Sequence, residues 1–237
     1  MNDLFSLQGR VALITGGSRG IGFECARMLH AEGMTVMLIA RDADALRAAA
    51  DRLGSRARYA SVDLGGDLAS VAREIRRRLR AVPDILVNNA AEFFVSPAEH
   101  TAIAAFEHAL RVNLSSHFAL VREFLAEMKR VGRGHIVTIG SIADQRGLPG
   151  NAAYSASKFA LRGLHEVLRE ELRGSGVRTT LISPARVDTT IWESIGVATV
   201  APAPAGMIPA AAVAEAVRYA VTQAAEVNVD ELRLSRS

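Results

Sequence analysis

Cysteine, lysine and aromatic residues are scarce in this 237-residue sequence: one cysteine, two lysines (Lys129 and Lys158) among 28 basic side chains, and 5% aromatics with a single tryptophan. One cysteine excludes an internal disulfide, and Cys25, with Ile21, Met28 and Leu29 around it at helical spacing, reads as a buried core thiol. The most apolar long stretch, 196–214, is broken by Pro202, Pro204 and Pro209, which spoils it as a membrane helix. The six histidines, His30, His100, His108, His117, His135 and His165, show no HExxH or paired ligand spacing, so no metal site is expected. Gly-x-Ser-x-Gly is absent, which leaves a hydrolase triad without its anchor. Near the amino end stands Asp3 and no basic-then-apolar leader, so the expectation is a cytoplasmic protein.

Charge excludes little more. The net charge is +3 with a pI near 9.5. The densest basic cluster, Arg76-Arg77-Arg78 with Arg80, lies in an amphipathic pattern with Val71, Ile75 and Leu79, as a solvated helix face would. No nucleic-acid partner and no membrane partner are expected.

Apolar content of 49% and charged content of 22% are globular values, and the length suits one medium domain with a full core. Short apolar runs at 11–14, 34–40, 58–62, 85–87, 135–139 and 177–182 predict buried strands. Helical patterns lie between them near 20–31, 42–53, 67–80, 101–130 and 152–173. Strands apolar on both faces, alternating with helices, predict an α/β fold: a single-domain, doubly wound parallel sheet covered by helices on both faces. The Ala- and Pro-rich stretch 189–208, which holds Trp192, suits a flexible segment covering a substrate.

Two motifs carry chemistry. Thr15-Gly-Gly-Ser-Arg-Gly-Ile-Gly22 follows the first strand and opens the first helix. Glycines there let the chain turn tightly and let a pyrophosphate approach amides at a helix N-terminus. No Gly-Lys-Ser/Thr follows, which disfavours an ATP-type loop. The second strand ends at Ala40-Arg41-Asp42, about 20 residues on. An acid at that tip would hold a ribose diol, whereas a small residue followed by Arg leaves room and charge for a 2′-phosphate, with Arg19 as a second cation. This favours NADP(H), with NAD(H) as second choice. Further on, Tyr154 and Lys158 stand four apart on a predicted helix, so they share a face and the ammonium can favour the ionised phenol. A lysine suits that place because an ammonium is a compact point charge and a guanidinium is not.

These motifs, with Asn88-Asn89-Ala90 after the fourth strand, Asn113, and Ser141 thirteen residues before Tyr154, resemble the short-chain dehydrogenase/reductase family over residues 9 to about 190, in its compact, 3-oxoacyl-carrier-protein-reductase-like form. The resemblance implies a Rossmann fold and an oxidoreductase that moves a hydride between NADP(H) and a carbonyl or secondary alcohol. Tyr154 would be the general acid and base, Lys158 would lower its pKa and hold the nicotinamide ribose, and Ser141 would donate to the substrate oxygen. Asn113 would kink its helix and hold a water linking Lys158 to solvent. The cofactor would be held by Gly16, Ser18, Arg19, Gly20, Ile21 and Gly22, by Arg41, by Asp63 and Leu64 after the third strand, and by Asn88, Asn89 and Ala90. Val112 would pack beneath it, and Pro184, Val187 and Thr189 would hold its carboxamide end. The Tyr–Lys spacing argues against an enoyl reductase; an NAD-dependent alcohol dehydrogenase and a non-catalytic dinucleotide sensor are the alternatives.

Two positions depart from the family pattern. Ala91 and Ala185 stand where glycine is frequent, and alanine fits there only at negative φ. Substrate-pocket candidates are Ala143, Asp144, Gln145 and Arg146, Glu92 to Phe94, Asn151, Arg186 and Trp192. The tail from Val227 to Leu234 resembles the last strand of bacterial members that reduce β-keto compounds. The resemblance also implies a homotetramer or homodimer, built through helices 101–130 and 152–173, where Phe106, Leu114, Phe118, Leu120, Phe124, Leu125, Phe159, Leu161, Leu164 and Leu168 occupy more than one face.

Overall fold

A computed structural model describes residues 6–195 and 206–237. The chain runs β1 (Val11–Thr15), α1 (Gly20–Ala31), β2 (Thr35–Ala40), α2 (Ala43–Leu53), β3 (Ala57–Ser61), α3 (Leu68–Leu79) and β4 (Ile85–Asn88). It continues with α4 (Ile103–Leu110), α5 (Ser116–Val131), β5 (Gly134–Ile139), α6 (Ala152–Glu171), β6 (Val177–Pro184), β7 (Val187–Asp188), β8 (Ile208–Pro209), α7 (Ala210–Val221) and β9 (Glu231–Leu234). Among the described residues seven strands form one parallel sheet in the order β3-β2-β1-β4-β5-β6-β9, and β7 pairs with β8 outside it.

Two apolar cores lie against this sheet. One gathers Ile14, Leu38 and Val87 with α1 and α7; the other gathers Leu13, Ile39, Leu86 and Ile136 with α3 and α5. Alternate residues of β1 thus enter opposite cores, as the pleat requires, and the doubly wound expectation holds. β3 departs from it. Arg58, Tyr59 and Ser61 are exposed because this strand is the sheet edge and one face meets water. The order reverses between β1 and β4, and a crevice opens beyond the carboxyl ends of strands at such a point.

Two helical expectations needed correction. The pattern at 101–130 is not one helix: the five residues Arg111–Ser115 form a π-turn between α4 and α5, with Asn113 buried inside it. The helix α7 was not foreseen. Val213, Ala214, Ala216, Val217, Ala220 and Val221 are its buried face, a 3.6-residue stripe of small side chains that composition hid behind the neighbouring prolines. Of the proposed covering segment 189–208, residues 196–205 lie outside the described residues; Thr190–Ile195 form a 3₁₀ turn before them.

Cys25 is fully buried, and burial pushes its thiol up to about 12. Ala91 and Ala185 avoid positive φ; among the described non-glycine residues only Arg80 adopts it. No described helix is long and apolar enough to cross a membrane, and the described residues hold no group of three or more His, Cys, Asp or Glu arranged to take a metal.

Phe124 of α5 is wholly buried, with the Arg76 guanidinium 5.7 Å from its ring centre. Phe124→Ala is expected to cost about 3–5 kcal/mol of unfolding free energy through the cavity it leaves, read as a lower urea midpoint. Two buried imidazoles set a pH response. His117 has Nε2 2.9 Å from the Ala90 carbonyl and His135 has Nε2 2.8 Å from Thr180 Oγ1; burial, aided by Lys158 and Arg178 respectively, pushes both down to about 3. An unfolded imidazole titrates near 6.5, so the unfolded chain takes up protons that the native one refuses as pH falls from about 6.5 towards 3. Stability is therefore full above that window and drops within it, by up to about 1.4 kcal/mol per pH unit for each histidine. Urea unfolding at pH steps below neutrality checks this, and His135→Asn should flatten the slope.

Candidate active site

At the reversal point a cleft of about 1000 Å³ runs from the glycine loop to α6. Thr15 builds its floor. The Thr15 hydroxyl accepts from the amides of Asn89 (2.9 Å) and Ala90 (3.0 Å) and donates to the Val87 carbonyl (3.3 Å). Asn89 Nδ2 in turn donates to the Thr15 carbonyl at 2.9 Å, so the ends of β1 and β4 are locked together. Gly16 (φ +65°) and Gly20 (φ +56°) hold conformations that side chains disfavour. Gly22 lies behind the loop and not on the cleft wall: a Cβ there would come within 2.1 Å of the Gly16 carbonyl. Its role is to let α1 pack under the loop.

Gly16, Ser18, Arg19, Gly20 and Ile21 line the cleft, as do Arg41, Asp63, Leu64, Asn89 and Ala90. Pro184, Val187 and Thr189 line its other end, together with Val112. Asn88 is buried in β4 and does not reach the wall; the next residue, pointing the other way from the strand, does. Asp42 also borders the cleft, but its carboxylate is committed to the first turn of α2, where it accepts from the Ala45 amide at 2.9 Å. Asp63 makes a tight turn of its own, accepting from the Gly65 amide at 2.9 Å.

Ser141, Tyr154 and Lys158 meet on one wall. Lys158 is buried and its ammonium donates to the Ile139 carbonyl at 2.8 Å, with Nζ 5.6 Å from the centre of the Tyr154 ring. Burial pulls its pKa down to about 8, with Asp144 pulling the other way. The phenol of Tyr154 is pushed above its ordinary value, first by burial and also by the charge of Asp144, while a hydrogen bond with Ser141 pulls it down. The expectation that Lys158 by itself brings the phenol down is thus not met: loss of solvation is the larger effect. Asn113 accepts from the Glu92 amide at 2.7 Å and donates to the Glu92 carbonyl (2.9 Å) and Ser157 Oγ (3.0 Å). It pins the π-turn to α6 and to the segment after β4.

Of the substrate-pocket candidates, Glu92, Phe93, Arg146, Asn151, Arg186 and Trp192 line the cleft. Ala143, Asp144 and Gln145 do not. A capping box turns that segment inward: Ser141 Oγ accepts from the Ala143 amide and Asp144 from the Ser141 amide. Phe93 stands edge-on to both Tyr154 (centres 4.9 Å apart) and Trp192 (5.4 Å). Leu148, Pro149 and Ile191 join the wall too, apolar residues in loops that carry no periodic signal in the sequence.

A family model described as short chain dehydrogenase matches residues 10–198. The rat protein named dehydrogenase/reductase SDR family member 7B is 34% identical over 196 residues, 78% of this chain; the chain spans 60% of that relative's length. The rhamnolipids biosynthesis 3-oxoacyl-[acyl-carrier-protein] reductase of Pseudomonas aeruginosa is 34% identical over 207 residues, covering 82% of this chain and 79% of the relative. A solved metagenomic short-chain oxidoreductase in complex with NADP is 33% identical and superposes with a TM-score of 0.82, covering 98% of this chain and 100% of that one. With the doubly wound sheet, the glycine loop at its reversal point and the Ser141, Tyr154 and Lys158 wall, these similarities make the chain a member of the short-chain dehydrogenase/reductase family, oxidoreductases that act on CH–OH and C=O groups.

Proposed function

We propose that the protein is an NADP(H)-dependent carbonyl reductase of small molecules, with β-keto compounds as the first class to try. The observation that carries this reading is the shared cleft: Ser141, Tyr154 and Lys158 on one wall, and the glycine loop with Arg19 and Arg41 at the far end. The residues fit a dinucleotide. The loop between β1 and α1 is kept bare of side chains where a pyrophosphate would approach, since a Cβ on Gly20 would stand 3.2 Å from Thr189. Arg19 and Arg41 are exposed at the cleft and free to meet a 2′-phosphate, while the nearby acid, Asp42, is occupied as a helix cap. Both features favour NADP(H) over NAD(H).

When bound, the dinucleotide supplies the hydride that reduces the carbonyl carbon. This chain handles the proton. Tyr154, kept protonated by its surroundings, donates to the carbonyl oxygen, and Ser141 holds that oxygen by a second hydrogen bond. The phenolate left behind is stabilised by the Ser141 hydroxyl and by the Lys158 ammonium, and Lys158 would also hold the nicotinamide ribose. Asn113 fixes the segments on either side of these groups. Gly16, Ser18, Ile21, Asn89 and Ala90 would hold the phosphates and adjoining ribose, Asp63 and Leu64 the adenine, and Pro184, Val187 and Thr189 the carboxamide. Phe93 and Trp192 give the substrate an apolar wall. The name of the Pseudomonas aeruginosa relative supports β-keto substrates. Phe118 (49% exposed), Phe159 (45%) and Val167 (54%) give α5 and α6 apolar outer faces through which a homodimer or homotetramer would form, in the cytoplasm.

Two measurements test this. Tyr154→Phe should lower turnover in an NADPH-dependent carbonyl panel, followed by loss of NADPH absorbance, by roughly 10²- to 10⁴-fold, and undiminished turnover would refute the proton-donor role. Arg41→Ala should weaken NADPH binding, measured by titration, while leaving NADH binding nearly unchanged; equal losses would return NAD(H) to first place.

A further inference from the structure

Asp144 is the most fully partnered buried charge beside the cleft. It lies three residues after Ser141, has no solvent exposure, and is not on the cleft wall. Its Oδ2 accepts from Ser183 Oγ at 2.5 Å and from the Ser141 amide at 3.1 Å. Its Oδ1 accepts from Arg162 Nη2 at 3.0 Å and Nε at 3.2 Å. The same guanidinium donates to both oxygens of Glu231 in β9, at 2.7 and 3.1 Å. Gly140 makes room for the arrangement, since a Cβ there would stand 2.4 Å from Asp144 Oδ2.

The connectivity has a direction. Arg162 follows Lys158 by four residues, as Lys158 follows Tyr154, so all three share one face of α6. One carboxylate therefore ties the turn that carries Ser141 to the helix that carries Tyr154 and Lys158, and through Arg162 to the outermost strand. A buried carboxylate costs several kcal/mol unless its partners are in place. Any drift of the turn from α6 strips such partners away.

We propose that Asp144 is a positioning residue, which fixes Ser141 against the Tyr154 helix through Arg162 and places a permanent negative charge behind the phenol. The inference rests on the assignment of Ser141 and Tyr154 as the groups facing the substrate. Its chemical consequence is that Tyr154 stays in its protonated, donating form, which favours carbonyl reduction over alcohol oxidation. The other charges near the phenol are Lys158 and Arg162 on its own helix, Arg146 after β5, Glu92 after β4, and Glu231 through Arg162. His117 on α5, pushed down to about 3, is neutral at ordinary pH.

The test reads ionisation of Tyr154 directly and needs no substrate. Tyrosinate absorbance is followed with rising pH in the full chain and in Asp144→Asn and Arg162→Gln, each paired with a Tyr154→Phe version so that Tyr59 and Tyr219 subtract out. Circular dichroism marks the pH at which each protein unfolds. Asp144→Asn should bring the onset of Tyr154 ionisation to lower pH. Arg162→Gln should move it to higher pH, because at alkaline pH Asp144 stays ionised and has lost its compensating cation. An unchanged onset in folded variants, or shifts of the same sign in both, would overturn the proposal and leave Asp144 a structural staple. Should Asp144→Asn not fold, the sign of the Arg162→Gln shift decides alone. Absence of any carbonyl reduction would instead count against the proposed activity and leave this measurement standing.

Discussion

The hydroxyl of Thr15 holds together the two strands on which the cleft depends. By accepting two amides from the end of β4 and donating to a β4 carbonyl, it closes the gap that opens where the strand order reverses. A parallel sheet leaves amides and carbonyls unmatched at such a gap, and buried ones must find partners. With Thr15 and Asn89 supplying them, the glycine loop sits at a fixed height over the sheet, and Gly22 lets α1 follow it closely. The distance between the loop and the wall formed by α6 is then a property of the sheet itself.

That wall shows how burial and charge are balanced against each other. Burial takes Lys158 down to about 8 and Tyr154 above its ordinary value, both towards their uncharged forms. Polar neighbours answer: the Ile139 carbonyl holds the ammonium and Ser141 holds the phenol. A proton donor and a nearby cation thus coexist in a poorly solvated site without either being fixed in one state, as proton transfer requires.

Much of this was legible in the sequence, because it rests on local rules. Apolar runs marked β1 to β6 to within about two residues, since a strand buried on both faces needs an unbroken apolar string. The glycine loop, Ser141, Tyr154 and Lys158 stood out because each motif constrains backbone or charge in a way few residues satisfy. What escaped depends on partners distant in sequence. The inward turn of Ala143 and Asp144 is decided by Arg162 and Ser183, far along the chain. The choice of Asn89 over Asn88 for the wall is a matter of strand phase. The direction of the Tyr154 shift follows from how deeply the tertiary fold buries it, which no spacing reveals. α7 escaped for a different reason: alanine and valine make a helix face too small to be seen beside a run of prolines.

The π-turn at Arg111–Ser115 has a consequence for how this chain can vary. Such a turn amounts to one residue more than an α-helix needs. Removing a single residue there would restore regular winding, yet it would rotate all of α5 by about 100° about its axis. Phe124 and Leu120 would swing out of the core and the outward face would swing in. The loop-like event of a one-residue deletion is therefore forbidden in the middle of this helix, and Asn113 marks the place where the count must be kept.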